Sequence, residues 1–107
     1  MRGRVIRHKY HAKSVEDDGI KFSSRLEHKY YKQLMLRKQS GEILFFLMQV
    51  PFSLPGKKKY RLDFLEFHAN GEVVCSEVKG MDTQVGVLKL AMVEDLYGIK
   101  INIVRKA

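Results

Sequence analysis

Leu26, Tyr30 and Leu34 recur every four residues, the spacing of one helix face, and Ser24-x-x-Glu27 ahead of them fits a capping box. The spacing predicts a helix from Ser24 to about Gln39, stopped by Gly41. Before it, Val15–Phe22 reads as an extended segment turning at Asp17-Asp18-Gly19. After it, Ile43–Phe52 is an apolar run closed by Pro51, expected to be a largely buried strand. Pro55-Gly56 turns the chain, Tyr60–Phe67 forms the next strand, and Val73–Lys79 returns after Ala69-Asn70-Gly71. Asp82 or Thr83 caps a second helix whose apolar face is expected to be Leu88, Ala91, Met92 and Leu96, with Gly98 as its stop. Ile99, Ile101 and Ile103 alternate with Lys100 and Asn102 as a last strand. The order is helix, three strands, helix, strand. It predicts a mixed α/β (α+β) fold: an antiparallel meander, a helical crossover to the last strand, and helices packed on the sheet.

The hairpin between the second and third strands of this core decides whether the chain has a polar site. Glu77 and Lys79 are two apart on a strand and share a face. A two-residue turn at Asn70-Gly71 would set Asp63 opposite Val78 and point it away from Glu77. A three-residue turn of Ala69, Asn70 and Gly71, with Gly71 in the left-handed region, sets Asp63 opposite Glu77. The three-residue turn, or a compensating bulge, is expected. Two carboxylates then converge with one ammonium. Oxygen donors of this kind suit a hard cation such as Mg²⁺, and a lysine beside a metal and a phosphodiester suits hydrolytic phosphoryl chemistry. The triplet Glu77-Val78-Lys79 is weak on its own, because composition gives an acid-x-Lys about once or twice by chance. Glu27-His28-Lys29 is a second instance.

Charge sharpens the picture. The chain has 107 residues, a formal net charge of +8 and 30% charged residues, which favours one small domain with a polyanionic partner. Residues 1–13 carry Arg2, Arg4, Arg7, Lys9 and Lys13 without an acid, and read as a basic arm ahead of a single domain over 14–107. A solvated tail and an arm along phosphates are both open readings of it. Lys57, Lys58 and Lys59 cluster at a turn, and Arg61 shares the face of Asp63. No apolar run reaches the length of a membrane span, and no basic amphipathic helix with an aromatic face suggests a membrane surface. The start lacks the apolar stretch of a signal peptide, and the single Cys75 suits a reducing compartment, so a cytoplasmic location is expected. Four histidines and one cysteine show no zinc spacing.

The strand order, Arg61-Leu62-Asp63 and Glu77-Val78-Lys79 resemble the PD-(D/E)XK nuclease superfamily, with Leu62 standing at its proline position. The nearer likeness is to small phage-encoded endonuclease-I-like proteins. It lies in His11-Ala12-Lys13, Asp18-Gly19-Ile20-Lys21-Phe22-Ser23-Ser24, a helix with a glutamate, Glu77-Val78-Lys79-Gly80, Leu88-Lys89 and Tyr97-Gly98-Ile99. The resemblance implies a restriction-endonuclease-like αβββαβ core. It also implies metal-dependent cleavage of DNA, often branched DNA such as a Holliday junction, frequently by a dimer, in the bacterial host cytoplasm if the chain is phage-encoded.

On that resemblance, Asp63 and Glu77 would hold Mg²⁺, or Mn²⁺ in its place, with the Val78 carbonyl as a third oxygen; no small-molecule cofactor is expected. Lys79 would orient or help deprotonate the attacking water, or stabilise charge on the phosphate. Glu27 has two readings, the capping partner of Ser24 and a third acid at the metal. Gln49 either satisfies backbone groups or faces the site. Lys89 and Arg61 are expected DNA contacts, with the basic arm and Lys57–Lys59. A homodimer would place two sites on a junction, through residues 43–52 or an exchanged N-terminal segment. The competing readings are a flap, mismatch or nicking nuclease, and a DNA-binding module without catalysis.

Overall fold

The computed structural model describes residues 14–107. The expected phosphate contacts Arg2, Arg4, Arg7, Lys9 and Lys13 lie outside the described residues. Two short strands, β1 (Val15–Asp17) and β2 (Ile20–Phe22), form a hairpin ahead of helix α1 (Arg25–Gln39). Three antiparallel strands follow, β3 (Ile43–Leu54), β4 (Lys58–His68) and β5 (Val73–Val78), then helix α2 (Gln84–Tyr97) and strand β6 (Ile101–Val104). The main sheet runs β3-β4-β5-β6, and β6 lies parallel to β5, as a helical crossover requires. This is a mixed α+β fold, with two helices against a mixed four-stranded sheet. No helix among the described residues is long and apolar enough to cross a membrane.

The local chemistry explains the element ends. Ser24 caps α1 by accepting the Glu27 amide, and Thr83 caps α2 by accepting that of Gly86. Gly98 ends α2 in the left-handed conformation. Phe22, Tyr30, Tyr31, Leu34, Ile43, Phe64 and Val104 pack one core under α1. Cys75, Val93 and Ile101, with Leu65 and Leu90, pack a second under α2. Adjacent residues Phe64 and Leu65 serve the two cores, which sets the helices on opposite faces of the sheet there. Beyond Gln49 the β3–β4 ribbon turns, and Leu54, Tyr60 and Leu62 join the α2 core.

Two expectations from the apolar pattern are overturned. β3 is not buried: it is an edge strand that runs through Pro51 to Leu54, with Leu44, Phe45 and Leu47 exposed. An edge tolerates a proline because half of its backbone amides need no ladder partner. The packed face of α2 is also not the expected one. Val93 is its fully buried residue, with Leu90 beside it, whereas Leu88, Met92 and Leu96 are 60%, 45% and 55% exposed. Periodicity identifies an apolar stripe but not the side of the helix that meets the sheet.

A charged network holds α1 to the sheet. Glu66 is 1% exposed and lies on the inward parity of β4 with Leu62 and Phe64. Its Oε2 accepts from the Tyr30 hydroxyl and from Ser76 Oγ at 2.7 Å, and its Oε1 lies 2.9 Å from His68 Nε2. Burial, and then the Glu66 hydrogen bond, push the Tyr30 phenol up to about 12. One residue on each of α1 and β5 and two on β4 are thereby tied together. Each carboxylate oxygen is satisfied, which is the condition for keeping a charge in a core.

Candidate active site

The β4–β5 turn has three residues. His68 donates to the Glu72 carbonyl at 2.9 Å, Gly71 donates back to His68 at 3.0 Å, and Gly71 has φ +94°. The ladder then pairs Phe67 with Val73 and Phe64 with Ser76, and one further step sets Asp63 opposite Glu77. Both side chains therefore leave the same face. The glycine at the third loop position makes this register cheap, because a left-handed residue there suits glycine best.

The ladder opens at this point. The next narrow hydrogen-bonded pair of an antiparallel register would be Leu62 with Val78. The Val78 amide donates to Asp63 Oδ2 at 2.9 Å, and the Asp63 amide donates to Glu77 Oε1 at 3.3 Å. Each acid thus bonds to the backbone of the opposite strand, which fixes the two carboxylates relative to each other.

From the other side, Gln49 Nε2 donates to Asp63 Oδ1 at 3.2 Å and to Glu27 Oε2 at 3.3 Å. Gln49 sits inside β3 with φ +53°, a left-handed conformation that costs a non-glycine residue about 1 kcal/mol or more. It faces the site. Glu27 is 4% exposed: Oε1 accepts from the Ser23 amide and hydroxyl at 3.0 and 2.7 Å, while Oε2 accepts from Gln49, beside Asp63. The helix start thus fixes the carboxyl that points at the cluster. Strict capping-box geometry would return that carboxyl to Ser24, but the bond goes one residue earlier.

The electrostatics are those of crowded acids. Burial, then the charge of Glu77, push Asp63 up from 3.8 to about 8. Burial also raises Glu77, while the Tyr60 hydroxyl, the Asp63 amide and Lys79 pull it back. The Tyr60 hydroxyl is buried with no hydrogen-bond partner of ordinary geometry among the described residues, and its phenol is raised by burial and then by the Glu77 charge. Two desolvated carboxylates that repel each other would gain from a cation between them. Their hard oxygens suit Mg²⁺, which keeps several waters and needs only one or two carboxylates, so the donor set fits. Among the described residues no three His, Cys, Asp or Glu side chains gather in ligating geometry, since the Gln49 amide stands between Glu27 and Asp63.

On the Glu27–Gln49 side of this cluster, a cleft of about 460 Å³ is lined by Ile20, Lys21, Phe22, Ser23, Met48, Glu27 and Gln49, and not by Asp63 or Glu77. Lys57 falls in the β3–β4 turn, with Lys58, Lys59 and Arg61 exposed along the first part of β4, while Lys89 lies half-buried on α2. Tyr60 and the Glu66 network are absent from the sequence-based expectations. Glu66 was visible as a charge on the buried parity of β4; Tyr60 carried no separate signal.

The architecture is that of a mixed α+β domain with a paired-acid site at the opening of its central hairpin. The chain belongs to the DUF1064 family, described as a protein of unknown function, whose model matches residues 7–107. No curated protein and no solved structure matches it.

Proposed function

We propose that this protein is a metal-dependent DNA endonuclease of the PD-(D/E)XK kind, acting on branched DNA such as a Holliday junction. The observation that supports this best is the placement of Asp63 opposite Glu77 in a three-residue-loop register, with Lys79 just past the end of β5. The raised Asp63 carboxyl adds to it, because perturbed acids cluster where chemistry is done. Bound between Asp63 and Glu77, Mg²⁺ (or Mn²⁺) would supply a Lewis acid and an activated water for phosphodiester hydrolysis.

The chain's own groups do the rest. Asp63 is aimed by the Val78 amide, and Glu77 by the Asp63 amide. The Val78 carbonyl is a further oxygen available to the ion. Glu27 acts through Gln49, which holds Asp63 Oδ1 and keeps the third acid at the cluster's edge. Lys79 orients the attacking water and offsets charge developing on the phosphate oxygens. Lys57, Lys58, Lys59, Arg61 and Lys89 give the flanking duplex a cationic track. Two such sites in a C₂ dimer match the two cuts of a junction. The bacterial host cytoplasm is the compartment this reading implies.

The test compares a synthetic four-way junction with a linear duplex of the same sequence, each in Mg²⁺ and in chelator. Faster Mg²⁺-dependent cleavage of the junction is expected. Equal cleavage of flaps, mismatches or nicked duplex would favour a processing nuclease, and tight DNA binding with no cleavage of any substrate would favour a non-catalytic module.

A further inference from the structure

Seven glycines lie among the described residues, and five of them (Gly19, Gly41, Gly56, Gly71 and Gly98) have positive φ, which accounts for glycine there. Gly80 has open space around it. Gly86 differs from all six. A Cβ at position 86 would lie 2.9 Å from Thr83 Oγ1 and 3.1 Å from Lys79 Nζ. The residue is helical and is the third of α2, where local chemistry favours another choice: glutamate or glutamine would complete a capping box, and alanine would gain about 1 kcal/mol of helix propensity. The chain forgoes both. It also brings an ammonium to the positive end of a helix, an arrangement disfavoured by about 0.3–1 kcal/mol. Among the described residues Lys79 Nζ makes no hydrogen bond or ion pair that would explain its position.

We propose that Gly86 is a positioning residue for Lys79: its missing side chain leaves the notch at the start of α2 that receives the Lys79 ammonium and sets its position relative to the candidate site. The lysine leaves β5 immediately after Val78, and its backbone amide is fixed on the Val104 carbonyl at 3.0 Å. With the backbone end held, the notch sets where the far end of a flexible side chain rests. A methyl group at 86 displaces both neighbours: Lys79 Nζ can swing aside at little cost, while the Thr83 hydroxyl must shift, which weakens the cap and offsets the gain in helix propensity. The methyl group is costly for chemistry, because a displacement of about 1 Å can cost on the order of a hundredfold in rate.

The inference rests on the proposed nuclease site, and the test separates the two. Gly86→Ala, Gly86→Ser and Thr83→Ala are compared with the parent chain. Lysines are labelled by reductive ¹³C-methylation, with the Lys79 resonance assigned by Lys79→Arg. For Gly86→Ala and Gly86→Ser the Lys79 resonance should shift, the melting temperature should stay at or above that of Thr83→Ala, and kcat on the junction should fall about tenfold or more with KM within roughly twofold. Thr83→Ala removes the cap without filling the notch, so it should lower the melting temperature and leave kcat near the parent's. An unmoved Lys79 resonance in both Gly86 variants, or a Thr83→Ala loss of kcat equal to theirs, would overturn the inference. Absence of cleavage by the parent chain would remove the nuclease reading, while the resonance would still decide whether the notch holds Lys79.

Discussion

Replacing Asp63 by asparagine should make the metal-free protein more stable. The asparagine carbonyl oxygen would keep the bond from the Val78 amide, and its NH₂ group would donate to Gln49 once the Gln49 amide turns over, at the cost of the Gln49–Glu27 bond. The substitution removes the charge that burial and Glu77 oppose. The displacement of the carboxyl from 3.8 to about 8, at about 1.4 kcal/mol per tenfold change in proton affinity, bounds the penalty at about 6 kcal/mol. Sharing of the proton with Glu77 and partial exposure bring the expected gain to about 2–3 kcal/mol, on the order of 10 °C in melting temperature. The sign follows from linkage. Below pH 3.8 the group is protonated in both folded and unfolded chains and costs nothing. As pH rises toward about 8 the unfolded chain ionises while the folded one resists, so the parent loses stability across that window. Thermal melts in chelator should therefore show Asp63→Asn matching the parent near pH 4 and exceeding it increasingly up to pH 8. Millimolar Mg²⁺ should raise the parent and leave the variant unchanged, because an ion bound only by the folded state adds its binding energy to stability. A variant no more stable than the parent at pH 8, or a difference independent of pH, would refute the reasoning.

Three further outcomes are expected. Gln49→Gly and Gln49→Ala lose the same bonds to Glu27 and Asp63, but glycine alone relieves the positive φ, so Gln49→Gly should be about 1 kcal/mol more stable than Gln49→Ala in chemical denaturation, while junction turnover falls about tenfold in both; equal stability would contradict the strain argument. Glu66→Ala strands Tyr30, Ser76 and His68 and should cost about 3–5 kcal/mol by the same measurement, whereas a loss under about 1 kcal/mol would mean the network is incidental. Replacing Lys57, Lys58 and Lys59 together by alanine should weaken junction binding and reduce the slope of log affinity against log salt by about 2–3, with an unchanged slope excluding them from the phosphate track.

Much of the frame was legible because it rests on local chemistry. Ser24 and Gly98 mark helix ends, and Gly71 selects the three-residue turn that aligns Asp63 with Glu77. What was not legible depends on which neighbour arrives. The run from Ile43 reads as buried because it is apolar, yet among the described residues β3 has no strand on its outer side. Leu88, Met92 and Leu96 form the more obvious stripe of α2, yet the sheet meets Val93 and Leu90. Glu27 could be read as cap or site residue; one carboxylate oxygen bonds Ser23 rather than Ser24 and the other bonds Gln49, a division that depends on tertiary contacts. The left-handed turn at Gln49 had no local signal, because glutamine is not a residue that favours it; tertiary contacts with Glu27 and Asp63 accompany it there.

The central claim is that Asp63, Glu77 and Lys79 form one metal-dependent phosphodiesterase site. Its most direct test is the single-turnover cleavage rate of an end-labelled four-way junction in Mg²⁺ by the parent chain, Asp63→Ala and Lys79→Ala. The account predicts cleavage by the parent that chelator abolishes, and a loss of roughly a hundredfold or more in each variant with junction binding retained. Parent-level cleavage by either variant would contradict it.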